Sequence, residues 1–153
     1  MKKLFTILGC IALFALTTST VKAQNYKTGV GLAIDFGDGS TLVGPHIKHF
    51  FTENNVGEAD VLFASGVTFI QALYEYHAPI QGASGLKWYA GVGPGVALYR
   101  NDSEFYLRPL AGLDYKIGKA PLAASFDWRP VMGFNDGVNF EAARFGLGLR
   151  FTF

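Results

Sequence analysis

From Arg144 to Phe153 the chain alternates strictly: Phe145, Leu147, Leu149, Phe151 and Phe153 share one parity, and Arg144, Gly146, Gly148, Arg150 and Thr152 the other. Successive side chains of an extended strand point to opposite faces, so this segment predicts a strand with one apolar face and one small or charged face. The pattern recurs. Alternating stretches cover residues 26–36, 41–51, 56–65, 68–78, 86–99, 105–117, 122–132 and 142–153, separated by turn-rich segments such as Gly37-Asp38-Gly39-Ser40 and Gly118-Lys119-Ala120-Pro121. Strands of about 9 to 11 residues cross a bilayer at the usual tilt, and an even number of them closes a sheet. The predicted fold is all-β: an eight-stranded antiparallel up-and-down transmembrane barrel.

Charge decides which face is which. The chain has 13 Lys and Arg and 12 Asp and Glu; setting aside Lys2, Lys3 and Lys22 leaves 22 charged residues, and one outward parity per strand puts none of them outward. Glu53, Asp136 and Glu141 are among those assigned to turns. The predicted lumen holds Lys27, Asp35, Lys48, Glu58, Asp60, Glu75, Lys87, Arg108, Asp114, Lys116, Asp127, Arg129, Arg144 and Arg150. A lipid-facing Arg or Lys costs roughly 2 to 4 kcal/mol near the bilayer midplane, which accounts for the segregation. A soluble barrel with an apolar cavity has the reverse pattern. An eight-stranded barrel is just wide enough for side chains to fill, and isolated buried ions cost several kcal/mol, so the near balance of bases and acids predicts a salt-bridged plug. Lys48 is expected beside Glu58 or Asp60, and Arg144 beside Asp35 across the closing seam. Inward glycines such as Gly91, Gly93, Gly95, Gly146 and Gly148 leave room for these long side chains.

The N-terminus reads differently. Lys2 and Lys3, the apolar run from Leu4 to Leu16 and the small-residue site Val21-Lys22-Ala23 predict a cleaved signal peptide over residues 1–23, with residues 24–153 as the barrel domain. Cys10, the one cysteine, falls in that signal, so no disulfide framework is expected. Without the signal the net charge is slightly negative, which gives no basis for nucleic-acid binding.

Together with the glycine-rich run Trp88-Tyr89-Ala90-Gly91-Val92-Gly93-Pro94-Gly95 and the ending Arg150-Phe151-Thr152-Phe153, these features resemble the small Gram-negative outer-membrane β-barrel proteins of the OmpA/OmpX type. The resemblance implies a location in the outer membrane, contact with its lipids, and a monomer. It also implies that Leu149, Phe151 and Phe153 form an assembly signal read by the insertion machinery. No periplasmic wall-binding domain is expected after Phe153. The implied role is non-catalytic, a structural or surface protein of the cell envelope, without a cofactor. The alternatives are a lipid-modifying barrel enzyme and a narrow channel for ions or small solutes.

Glu75 and His77 share the inward parity and His46 lies inward on another strand, but no serine stands in a recognisable motif with either histidine, so no catalytic residue is assigned. His46, Glu58 and Asp60 are zinc-compatible types without a ligand spacing, so no metal is assigned. The segment 133–141, with Phe134 and Phe140, is the candidate outer-loop contact. Tyr26, Phe51, Tyr76, Trp88, Tyr115 and Phe151 predict one interfacial aromatic girdle, and Phe36, Phe63, Phe105 and Trp128 the other. Pro45, Pro94, Pro109 and Pro130 fall inside strands and predict bulges or interruptions of pairing.

Overall fold

A computed structural model describes residues 26–135 and 137–153; the predicted signal peptide and Asp136 lie outside the described residues. The strands are β1 (Thr28–Gly37), β2 (Leu42–Phe50), β3 (Asn55–Ala64), β4 (Val67–Pro79), β5 (Leu86–Tyr99), β6 (Ser103–Lys116), β7 (Leu122–Trp128), β8 (Val131–Gly133), β9 (Asn139–Glu141) and β10 (Arg144–Thr152). Each pairs antiparallel with its neighbours, β10 returns to β1, and β5–β6 pairing completes a closed barrel of eight strands, with β7–β8 and β9–β10 forming the seventh and eighth.

The wall is apolar outside and charged inside. Leu32, Ile34, Val43, Ile47, Leu149 and Phe151 are exposed, while Asp35, His46, Lys48 and Arg150 on the same strands are buried. Alternation along a closed sheet produces this inversion directly, because each strand sends its polar parity to the axis. Small apolar clusters cap the polar interior: Leu42, Leu62 and Phe69 among others in one, and Tyr26, Phe50, Val56 and Ala123 in another.

Two inward glycines are required by close approach. A Cβ on Gly95 would stand 2.2 Å from the Tyr106 ring, and one on Gly146 would stand 2.2 Å from Arg129 Nε.

The start of the first strand departs from the predicted parity. Lys27 is exposed, not in the lumen, and Tyr26 is buried, not in a girdle. The cause is local: the backbone N–H groups of Lys27 and Thr28 both donate to the Phe153 carbonyl, at 3.2 and 3.0 Å, so two residues face one and the alternation slips by a position.

The prolines interrupt pairing. The β2–β3 ladder passes from Val43↔Phe63 to His46↔Asp60 in one register, omitting Pro45, and β4–β5 passes from Gln71↔Gly95 to Tyr74↔Val92, omitting Pro94. The register Leu107↔Met132 and Ala111↔Trp128 sets Pro109 opposite Pro130, and neither can donate to the other. The predicted strand 122–132 therefore breaks between β7 and β8. Beyond the break the register slips: Phe145 pairs with Trp128 but Glu141 with Val131, so Ala142 and Ala143 carry one extra residue, a bulge opposite Pro130. The predicted loop 133–141 is correspondingly shorter. Phe140 lies in β9 opposite Met132, and Phe134 donates its N–H to the Phe105 carbonyl at 3.3 Å.

Candidate functional site: the charged lumen

Three linked groups of polar side chains fill the interior. Toward the β1–β2 turn, Asp35 accepts from Arg144 Nε at 2.9 Å and Nη2 at 2.6 Å, and from Arg108. Arg144 also donates to the Ser40 carbonyl at 3.0 Å, fixing the turn to the eighth strand. The Arg108 guanidinium lies 5.6 Å from the Phe69 ring centre and 5.3 Å from that of Tyr106, where ring faces supply part of the compensation that a second carboxylate would give.

In the middle, Arg129 spans the lumen. It donates to Asp127 at 2.6 Å, to Glu58 at 3.2 Å and to Asp60 at 3.4 Å. Asp60 also accepts from Gln71 Nε2 at 2.6 Å, and Gln71 Oε1 in turn accepts from the Tyr106 hydroxyl at 3.0 Å. Tyr89 donates to Asp127 at 2.6 Å.

Nearer the chain termini, Lys48 Nζ is 2.8 Å from both Glu58 and Glu75 and sits 4.2 Å above the Tyr89 ring. Glu75 is 2.6 Å from His77 Nε2, and His77 stacks on Tyr89 at 4.7 Å. Arg150 pairs with Asp114, donates to Ser125 Oγ at 2.9 Å and meets His46 Nε2 at 3.0 Å. A guanidinium only donates, so His46 Nε2 accepts and Nδ1 carries the proton that it donates to Asp60 at 2.6 Å. That assignment leaves His46 without a free lone pair.

The chemistry of this arrangement is restrictive. Arg150 Nη1 donates to both Ser125 Oγ and His46 Nε2, so the histidine lone pair that could take the serine proton is occupied. His46, Glu58 and Asp60 offer ligand atoms within 4.8 Å of one another, yet Arg129 and Lys48 already hold both carboxylates. Charges buried in this way are tolerated because each is paired with an opposite charge, although Arg108 Nε and Nη2, Arg150 Nε and Glu75 Oε1 have no hydrogen-bond partner among the described residues.

Of the sequence-predicted lumen charges, Asp35, Lys48, Glu58, Asp60, Glu75, Arg108, Asp114, Asp127, Arg129, Arg144 and Arg150 are buried in this network. Lys116 is buried at the edge and donates to the Ala120 carbonyl, and Lys87 is half-buried, 3.4 Å from the Glu53 carbonyl. Lys27 lies outside, as described. The network also contains His46, His77, Gln71, Ser125, Tyr89 and Tyr106, which a search for charges passes over. Each has the inward parity of its strand, and that parity is the signal that identifies them. Leu149, Phe151 and Phe153 are exposed on the outer wall, as are Phe134 and Phe140.

No family model and no curated protein matches the chain. Solved structures do. The N-terminal β-barrel domain of Pseudomonas aeruginosa OprF superposes with a TM-score of 0.60 at 18% identity, over 85% of this chain and 100% of that one. Neisserial surface protein A (NspA) superposes with a TM-score of 0.55, also at 18% identity, over 87% of this chain and 100% of that one. Both are eight-stranded outer-membrane barrels, and the chain described here has their fold.

Proposed function

We propose that this protein is a non-catalytic, monomeric barrel of the outer membrane, a structural or surface component of the cell envelope whose lumen is closed by ion pairs. The observation that carries this reading is the inverted wall, with Leu32, Phe63 and Leu149 exposed and Lys48, Arg108 and Arg150 buried. Such a surface is stable only where lipid replaces water, since a contiguous apolar belt in water drives association. The likeness to two outer-membrane barrels supports the same location. In this reading the outward Leu149, Phe151 and Phe153 are the residues that the insertion machinery recognises.

The test combines membrane fractionation with gel mobility before and after boiling in detergent. Recovery in the outer membrane, with a mobility shift on boiling, is the expected result; a soluble product without the shift overturns the reading. Planar-bilayer recording addresses the lumen. No steady conductance is expected, and a reproducible single-channel current replaces the closed barrel with a narrow channel. Release of acyl chains from phospholipid by the purified barrel, lost on Ser125→Ala, replaces it with an enzyme.

A further inference from the structure

We infer that the end of the barrel where Tyr26 and Phe153 lie binds a single-chain anionic amphiphile, its head on Lys27, Lys87 and Lys116 and its chain along Phe51, Ile80 and Leu86. A recess of about 750 Å³ opens there, within the range of roughly 300 to 1,000 Å³ usual for small-molecule sites. Its lining combines those three lysines with apolar side chains from the β2–β3 and β4–β5 turns.

The lysines differ from the cations of the lumen in their partners. Lys48, Arg108, Arg129, Arg144 and Arg150 each meet a carboxylate. Lys87 Nζ donates to the Glu53 carbonyl at 3.4 Å, lies 4.9 Å from the Phe50 ring centre and is attracted by Asp114 and Glu53 without an ion-pair contact to either; Lys116 donates to a carbonyl, and Lys27 is exposed with no side-chain partner among the described residues. Asp114 also lines the recess and stands opposite Lys87 in the β5–β6 register, but its carboxylate is taken by Arg150 and the Tyr26 hydroxyl. Among the lining side chains Glu53, exposed on the rim, is the other carboxylate against three ammonium groups.

The apolar side of the recess sets the rest of the ligand. Phe51 lines it and is 63% exposed at the same end as the outward Trp88 and Tyr115, so an acyl chain leaving the lysines passes onto the apolar exterior. A small inorganic anion would leave that wall unused. The inference rests on the barrel fold and not on the role proposed above.

The test is native mass spectrometry of the protein in neutral maltoside detergent with dodecyl phosphate added. One adduct per barrel is expected. Lys27→Gln combined with Lys87→Gln should weaken it about tenfold, the loss of one exposed and one half-buried charge contact. Lys119→Gln removes the same charge from an adjacent turn outside the recess and should leave binding unchanged. Wild-type affinity in the double variant, equal weakening by Lys119→Gln, or equal occupancy by inorganic phosphate each overturns the inference. Mobility on unboiled gels verifies that every variant is folded.

Discussion

Arg144 and Asp35 meet across the seam between the last strand and the first, with Arg144 Nη2 2.6 Å from Asp35 Oδ1. The same carboxylate receives Arg108 from the opposite side of the lumen, so one acid holds two guanidinium groups and ties three strands. Asp35→Ala removes the only carboxylate partner that either arginine has among the described residues. Leaving a buried ion unpaired costs about 3 to 5 kcal/mol, and a loss of that size is expected in urea unfolding of the refolded barrel. A loss below about 1 kcal/mol, the value of a solvated pair, shows a lumen hydrated enough to screen both arginines.

Arg150→Lys keeps the charge and is expected to be damaging. A lysine is a point charge on a flexible stem and cannot hold Asp114, Ser125 and His46 at once, as the planar guanidinium does. Loss of two buried hydrogen bonds predicts destabilisation of about 1 to 3 kcal/mol, read from the same unfolding curves. Wild-type stability in this variant removes Arg150 as a brace.

Gly146→Ala tests the packing around Arg129. The new Cβ would stand 2.2 Å from Arg129 Nε and 2.7 Å from Asp127 Oδ1. Overpacking of this kind costs about 1 to 3 kcal/mol, so a lower unfolding midpoint is expected, and an unchanged midpoint shows that the Arg129 side chain gives way.

The outer face is tested by position. Leu149, 56% exposed and flanked by Leu32 and Ala124, lies within the wall, while Phe140 sits near the open end. Arginine at Leu149 should cost about 2 to 4 kcal/mol when the barrel folds into bilayers, and at Phe140 about 0 to 1. Equal costs contradict a lipid belt centred on Leu149.

Phe153 has two separable parts. Its side chain is exposed, while its carbonyl accepts from Lys27 and Thr28 and its N–H donates to the Thr28 carbonyl at 2.9 Å. Phe153→Ser keeps those bonds and is expected to slow assembly in cells with little change in the stability of refolded barrel. Deleting Phe153 should impair both. Normal assembly of Phe153→Ser dismisses the side chain as a signal.

What could be read from the sequence depended on how local the determining contact is. Lys48 and Glu58 stand directly opposite in the β2–β3 register, so alternation and hairpin order bring them together without knowledge of the closed shape. Arg108 and Asp35 are 73 residues apart and meet across the lumen, a distance set by barrel diameter and not by any local pattern. Tyr26 and Lys27 were misplaced because the slip at the Phe153 carbonyl is a tertiary event between the two chain ends. The extra residue at Ala142 and Ala143 is equally silent, since alanine suits either face; only its partner Pro130 announces a break. His46 stands opposite Asp60 and His77 opposite Tyr89 in their hairpins, so these partners follow from register too, whereas the contact of His46 with Arg150 requires the curvature of the wall.

The facing prolines give the cylinder a second seam, different in kind from the first. Where the chain ends meet, the register runs unbroken from Gly29↔Thr152 to Gly37↔Arg144. Between the sixth and seventh strands it stops after Leu107↔Met132 and resumes at Ala111↔Trp128. Under mechanical load, the wall should therefore part at Pro109 and Pro130 before the first and last strands separate, so the seam joining residues most distant in sequence is not the place where it first tears.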